Sequence, residues 1–412
     1  MTDTDVAADD EALRTRAIDW LRSMRCGDTW RFRFSERNPP TLIATACAAM
    51  LGKFLGYVDE LSDADRSQWA AEILACQQAD SGWFDDDDIQ DGNRTVTMGK
   101  DGAMVEYCRE RALLHRTRYA LCALDALGAA PAHALSIVAT TWQGTARMRA
   151  WLESLDLSDY WYSSNMMMDA YLMLDVERRR ADPGSAAHAE LLESIAALLD
   201  FCDAHTSTET GYHDAGRSEL RNAMAGAMHL YPVYFLCGAA PLHPEAVVRT
   251  TLSLQQPDGT FAYENDVGGE DCLDYDAALV LANFFCVDAC AGLRDTIVAA
   301  LDRTAAAVRG QVNADGGFPS HRRATQYQFG SKSTTVEVEG SNLWATYSRM
   351  MTLAFAAHSA GRPTRLVTSN NLMEIWDAGT GKSARFPARC PLPPRAAAAA
   401  TLLGGGGAGD GS

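Results

Sequence analysis

Apolar residues recur along most of this chain with the period of an α-helix. In residues 64–78, Trp69, Ile73 and Cys76 fall at i, i+4 and i+7 and so share one face. Leu191, Ile195, Leu198 and Cys202 repeat the pattern in residues 189–205. In residues 116–128, Leu124 and Leu127 line up behind Tyr119 or Ala120, and Gly128 stands where a helix terminates. Further stretches at about 11–25, 41–57, 131–155, 163–176, 219–237, 243–255, 270–288, 291–311 and 341–359 bring the count to about twelve helices. Alternating strand patterns are scarce; STTVEVE (333–339) is the best, as one arm of a hairpin. The pattern predicts an all-α fold.

The turns between these helices repeat. Gln78 leads through Gly82 to Phe84, Gln255 through Gly259 to Phe261, and Asn313 through Gly316 to Phe318, with Gln311 one place out of register. Thr210-Gly211-Tyr212 is a degenerate fourth copy. Any one such turn is explained as a helix stop followed by an aromatic plug. Several at quasi-regular spacing, each after an amphipathic helix, predict stacked helical hairpins with these glycines at one end.

Composition narrows the class. The 412 residues are 47% hydrophobic and 22% charged, enough for one large core. A formal net charge of −18 argues against nucleic acid, because phosphate neutralisation needs a basic surface. No apolar run approaches the roughly 20 residues that span a bilayer. The first residues, MTDTDVAADDEALR, are acidic where a signal peptide is basic, so a cytoplasmic location is expected. The 11 cysteines form no CxxC pair and are read as buried free thiols. Residues 1–10 and the Pro-, Ala- and Gly-rich stretch 385–412 are expected to be disordered, leaving 11–384 as one folded domain.

QQADSGWF, LQQPDGTF and NADGGF resemble the QW-type repeats of squalene–hopene cyclases, class II terpene cyclase domains and protein prenyltransferase β subunits. The resemblance covers about residues 40–360. It implies a single (α/α)6 barrel, six inner and six outer helices, which matches the helix count. It does not fix the chemistry, since toroids of this kind also carry glycosidases, lyases and lanthionine cyclases.

The candidate chemistry is acidic. Asp85-Asp86-Asp87-Asp88 follows a repeat-type turn, and four adjacent carboxylates repel one another unless something positive meets them. Asp87, Asp88 and Asp91 resemble the DDxxD motif of ionisation-type terpene synthases, which implies Mg²⁺ holding a diphosphate leaving group. Read as DxDD, the same run resembles the acid motif of protonation-type cyclases, although Ile89-Gln90 replaces their usual continuation. A solvated acidic loop is the plain alternative. A second cluster runs from Glu264 to Asp276. Asp271, Asp274 and Asp276 open an apolar helix, where acids serve capping equally well. Asp271-Cys272 resembles part of a prenyltransferase zinc set, but no histidine completes it.

Basic and aromatic residues fill out the expectation. Arg322 and Arg323 stand near a repeat-type turn and offer counter-charge to a diphosphate. His229 and His115 lie on apolar helices, where a hydrogen-bonded core histidine is the ordinary role. Trp83, Phe84, Tyr275, Trp344 and Tyr347, among others, could line a lumen and stabilise a carbocation, or stack on a sugar. The leading expectation is a terpene cyclase acting on a linear isoprenyl diphosphate. In it Asp87, Asp88 and Asp91 bind Mg²⁺, Asp88, Asp274 and Asp276 are catalytic, and Arg322, Arg323, Trp83, Phe84, His229 and Tyr275 hold substrate. The acidic clusters around Asp87 and Asp274 are expected to face one cavity. The alternatives are a protonation-type cyclase on the same fold and a carbohydrate-active toroid with paired carboxylates.

Overall fold

The computed structural model describes residues 3–89, 94–98, 103–107, 109–262, 271–320, 326–327, 331–337, 339–362, 364, 366 and 392. Its helices run in the order α1 (Asp3–Ser23), α2 (Leu42–Phe54), α3 (Tyr57–Glu60), α4 (Asp63–Leu74), α5 (Arg109–Ala126), α6 (Thr145–Glu153) and α7 (Tyr160–Arg180). They continue as α8 (Ala186–Ala204), α9 (Leu220–Leu236), α10 (Pro244–Ser253), α11 (Asp271–Phe285), α12 (Arg294–Arg309) and α13 (Leu343–Ser359).

Two kinds of helix alternate. Every residue of α13 is buried, as is α9 from Ala223 onward, and their sequences are correspondingly apolar or small on all sides. By contrast α12 buries Ile297, Leu301, Thr304 and Val308 on one stripe and turns its charges outward. The inner helices form a closed ring: α2 packs on α5, α5 on α7, α7 on α9, α9 on α11, α11 on α13, and α13 back on α2. Around them lie α1, α4, α6 with the π-turn before it, α8, α10 and α12. This is the all-α fold that the periodicity predicts, closed into the (α/α)6 toroid that the family resemblance implies.

The repeated turns tie the outer layer together. Gly82, Gly211, Gly259 and Gly316 each follow an outer helix and precede an inner one, so they share one end of the ring. All four have positive φ, between 76° and 94°. A side chain at Gly259 would sit 2.6 Å from the carbonyl oxygen of Arg303 on α12, and one at Gly316 2.7 Å from that of Arg16 on α1. Only glycine lets each turn press against the next outer helix. The aromatic that follows is buried in every copy, and in three of the four its backbone N–H is capped from the inner helix: Phe84 by Thr117, Phe261 by Asp274, Phe318 by Thr346; the Tyr212 N–H is met by Thr210 of its own turn.

Three expectations change. The glutamine that anchors the first turn is Gln77, not Gln78: its amide bonds Gly82, Ala132 and His133. Gln255 anchors the third turn in the same way, its amide donating to the carbonyls of Gly259 and Ala300. Residues 3–10, expected to be disordered, belong to α1, where Asp10 is buried and pairs with Arg309. Two insertions also carry hairpins, β1 (Arg94–Met98) with β2 (Ala103–Tyr107), and β3 (Gln326–Tyr327) with β4 (Thr335–Val336). The second is the hairpin foreseen around residues 333–339; the first was not foreseen. The 385–412 tail lies outside the described residues except for Leu392.

Candidate functional site: a rim clasp and a polar lumen

The aspartate run forms a clasp at the rim. Asp85 pairs with Arg109 at 2.8 Å. Asp86 accepts the N–H of Leu42 at the start of α2 and pairs with Arg116 of α5, whose side chain is fully buried. Asp88 takes the other arm of Arg116 and accepts hydroxyl hydrogens from Ser331 and Ser333. Lys332 donates its backbone N–H to Asp88 and its ammonium to the Asp87 carbonyl. Asp87 itself is exposed, at φ 60°. The charge that seemed to need a metal is met by two arginines and two serines, and the run fastens both insertions to α2 and α5. Among the described residues no group of three or more His, Cys, Asp or Glu converges as metal ligands would. The carboxylates at 85, 86 and 88 do not fit Mg²⁺, because their oxygens are already committed to arginine, hydroxyl and backbone N–H donors. Asp91, Arg322 and Arg323 lie outside the described residues.

Asp274 departs from its expected catalytic role in the same way. One oxygen accepts the Phe261 N–H at 2.6 Å and the other pairs with fully buried Arg349 of α13. It occupies the place that Thr117 and Thr346 hold in the sister repeats, so its duty is to seat a turn. The two acidic clusters expected to share a cavity are bound to different arginines, Arg116 and Arg349. Phe84 is a buried plug rather than a substrate contact, and Trp83 is half-buried against the core behind it.

The lumen is marked by a contact between helices that are not ring neighbours. Tyr119 of α5 meets Trp344 of α13 edge to face at 5.7 Å. Trp344 also donates its indole N–H to the Cys272 sulfur on α11, at 3.2 Å. Positions on α11 follow from a helix's ~100° per residue. Tyr275 faces α13, against Trp344, Tyr347 and Phe355. Phe284 faces α9, against Tyr231 and Phe235. Asp274 faces outward to the turn. The remaining face, Cys272, Asp276, Leu279 and Asn283, points to the axis, and all but half-buried Cys272 are fully buried or nearly so.

A polar network occupies the α5–α7–α9 side. Arg111, His115 and Arg118 fall at i, i+4 and i+7 on α5. Arg118 pairs with Asp169 at 3.0 Å and donates to Asn165 at 2.9 Å, both on α7. Its second nitrogen lies 3.4 Å from His115 Nε2, while His115 Nδ1 faces Asp169 at 3.4 Å. Only a neutral, Nδ1-protonated His115 satisfies both neighbours. Burial, reinforced by Arg118, pushes its pKa down to about 4. His229 lies 3.0 Å from the Ser164 hydroxyl through Nδ1, and burial holds its pKa well below the usual histidine value. Arg111 stacks over the Tyr162 ring at 3.3 Å. Asp169 was missed in the sequence. Its signal was a lone carboxylate inside NMMMDAYLML, one turn beyond Asn165.

A closed helical ring with a buried polar network and an aromatic wall defines the class: an α/α toroid. The prenyltransferase alpha-alpha toroid domain matches residues 3–99 and 119–326, and the chain belongs to that family. No curated protein is matched by sequence. Among solved structures, an arginine-to-alanine variant of the type II terpene cyclase MstE from Scytonema, in complex with geranylgeranyl dihydroxybenzoate, superposes with a TM-score of 0.52. It is 12% identical, over 85% of this chain and 97% of that one, a likeness of fold. The apo form of MstE gives 0.49 at 13% identity, over 84% and 98%. An alpha-1,6-mannanase from Salegentibacter gives 0.44 at 8%, over 84% and 99%.

Proposed function

We propose that this protein is an isoprenoid cyclase of the protonation type, with Asp276 as the initiating acid. The observation that carries the reading is the position of Asp276: a carboxyl group 2% exposed, on the axial face of an apolar helix, beside the aromatic wall of the toroid. The ionisation route lacks such support, since Asp87 is exposed and Asp88 is bound to Arg116, Ser331 and Ser333. The MstE complex holds a geranylgeranyl dihydroxybenzoate, which makes a prenyl chain with a polar head a reasonable substrate class here as well.

In this mechanism the Asp276 carboxyl proton adds to the terminal alkene of a linear polyene. A C–H bond forms, the π bond breaks, and a tertiary cation is left against the carboxylate. Each following alkene attacks the cation in turn and closes a ring. Tyr119, Tyr275, Trp344 and Tyr347 offer π faces worth about 0.5–2 kcal/mol each to the passing charge when desolvated. The α5–α7 network of Arg118, Asp169, Asn165 and His115 holds its helices in register and does not need to titrate.

The test is incubation of purified protein with geranyl, farnesyl and geranylgeranyl diphosphates and their alcohols, with Mg²⁺ and with EDTA. Cyclic product that retains its head group, forms in EDTA and vanishes in Asp276→Asn is the expected result. Pyrophosphate release that EDTA abolishes would restore the ionisation route. Turnover of an oligosaccharide with every isoprenoid untouched would move the protein to the carbohydrate-active class.

A further inference from the structure

Asn283 is fully buried on α11, and among the described residues neither its Nδ2 nor its Oδ1 has a hydrogen-bond partner. An amide group placed so is costly, and proteins keep one where water or a ligand completes it. Its direction is fixed by its neighbours. Tyr275 is spent on α13, Phe284 on α9 and Asp274 on the outer turn, so Asn283 lies on the axial stripe with Asp276 and Cys272. It stands seven residues beyond Asp276, about 10 Å further along the lumen at 1.5 Å per residue. The side chain at the intervening axial position is Leu279, so this face of α11 is apolar between the two.

We infer that Asn283 holds the water that ends the reaction, making the product a cyclic alcohol. The inference rests on the cyclase reading above, which supplies the cation. Cyclisation carries positive charge away from the alkene that Asp276 protonates. A water held by the amide, donating to Oδ1 and accepting from Nδ2, presents a lone pair to the last cation. The C–O bond forms, the empty orbital is filled, and the oxonium proton leaves to solvent water as the product departs. Asp276 regains its proton from solvent. The sum is addition of one water to one polyene, with no redox step and no metal. The contrast between the two axial groups is chemical: a carboxyl group can give a proton to an alkene, an amide cannot, but an amide can orient a nucleophile.

The experiment measures the ratio of cyclic alcohol to cyclic olefin in heavy-oxygen water, for wild type, Asn283→Leu and Asn283→Ser. Wild type is expected to give mainly alcohol carrying the label. Asn283→Leu should shift the ratio toward olefin by about tenfold or more, the worth of one lost water interaction. Asn283→Ser keeps a small polar group, tests the same point if the leucine variant fails to fold, and should fall between. A wild type that gives only olefin, or a ratio unchanged in both variants, overturns the role of Asn283 and leaves the cyclase standing. Folded wild type that consumes no isoprenoid removes the cyclase reading and this role with it.

Discussion

The rim clasp and the axial face of α11 both hold buried carboxylates, and they hold them differently. At the rim, Asp85, Asp86 and Asp88 stand in a run that no sequence reader would overlook, and the fold supplies Arg109, Arg116, Ser331 and Ser333 to meet them. On α11, Asp274 is matched likewise by Arg349 and seats a turn, and Asp276, two residues on, lies on the axial face. Density of charge in the sequence thus marks architecture here. The chemically promising group is one carboxylate among small and apolar residues.

Substitutions should separate the two regions. The largest effect is expected from Asp276→Asn, which removes the acid: turnover falls by at least about 10²–10⁴-fold. Its melting curve should stay close to wild type, and a comparable loss of folding would recast Asp276 as structural. Arg116→Ala should do the reverse. It strands Asp86 and Asp88 and costs about 3–5 kcal/mol, read from the denaturation midpoint. A change under about 1 kcal/mol would show that the clasp is ornamental.

Acid should act through the histidines. His115 and His358 have folded pKa values pushed down to about 4, and His213 to about 3, in each case chiefly by burial. The unfolded chain therefore binds more protons below pH 6.5, and stability falls as pH drops from there toward 4. Above pH 7 these groups contribute no slope. Chemical denaturation between pH 4 and 8 checks this, and His115→Gln should flatten part of the acid limb. The smallest effect is expected at Asp87, exposed and left-handed. Asp87→Gly should leave stability within about 1 kcal/mol or raise it slightly, and Mg²⁺ or EDTA should not move its melting temperature.

The toroid was largely legible because each outer helix must bury one stripe and each repeat must turn on a glycine. Trp69, Ile73, Leu191, Ile195 and Leu198 are all buried as their spacing required. Partner choice was not legible. Gln77 and Gln78 are adjacent, and only the approach of Ala132 and His133 shows which one anchors the turn. The fate of Asp88 depended on Ser331 and Ser333, 243 and 245 residues away. Asp169 was hidden by its apolar surroundings, although those surroundings are what make a lone carboxylate informative.

The seam where the ring closes has a consequence for how the chain reaches this state. Gly316 rests on Arg16, the backbone N–H of Leu343 bonds the carbonyl of Phe34, and Thr41 meets Thr334 across 293 residues of chain. Helices α1 and α2 leave the ribosome well before the neighbours that cover them, α12 and α13. Until then the apolar flank of α2 has no companion, which favours slow, late-closing folding and a need for protection against aggregation during synthesis. A chain ended before α13 is an open arc, and it should be recovered as insoluble protein or bound to chaperones.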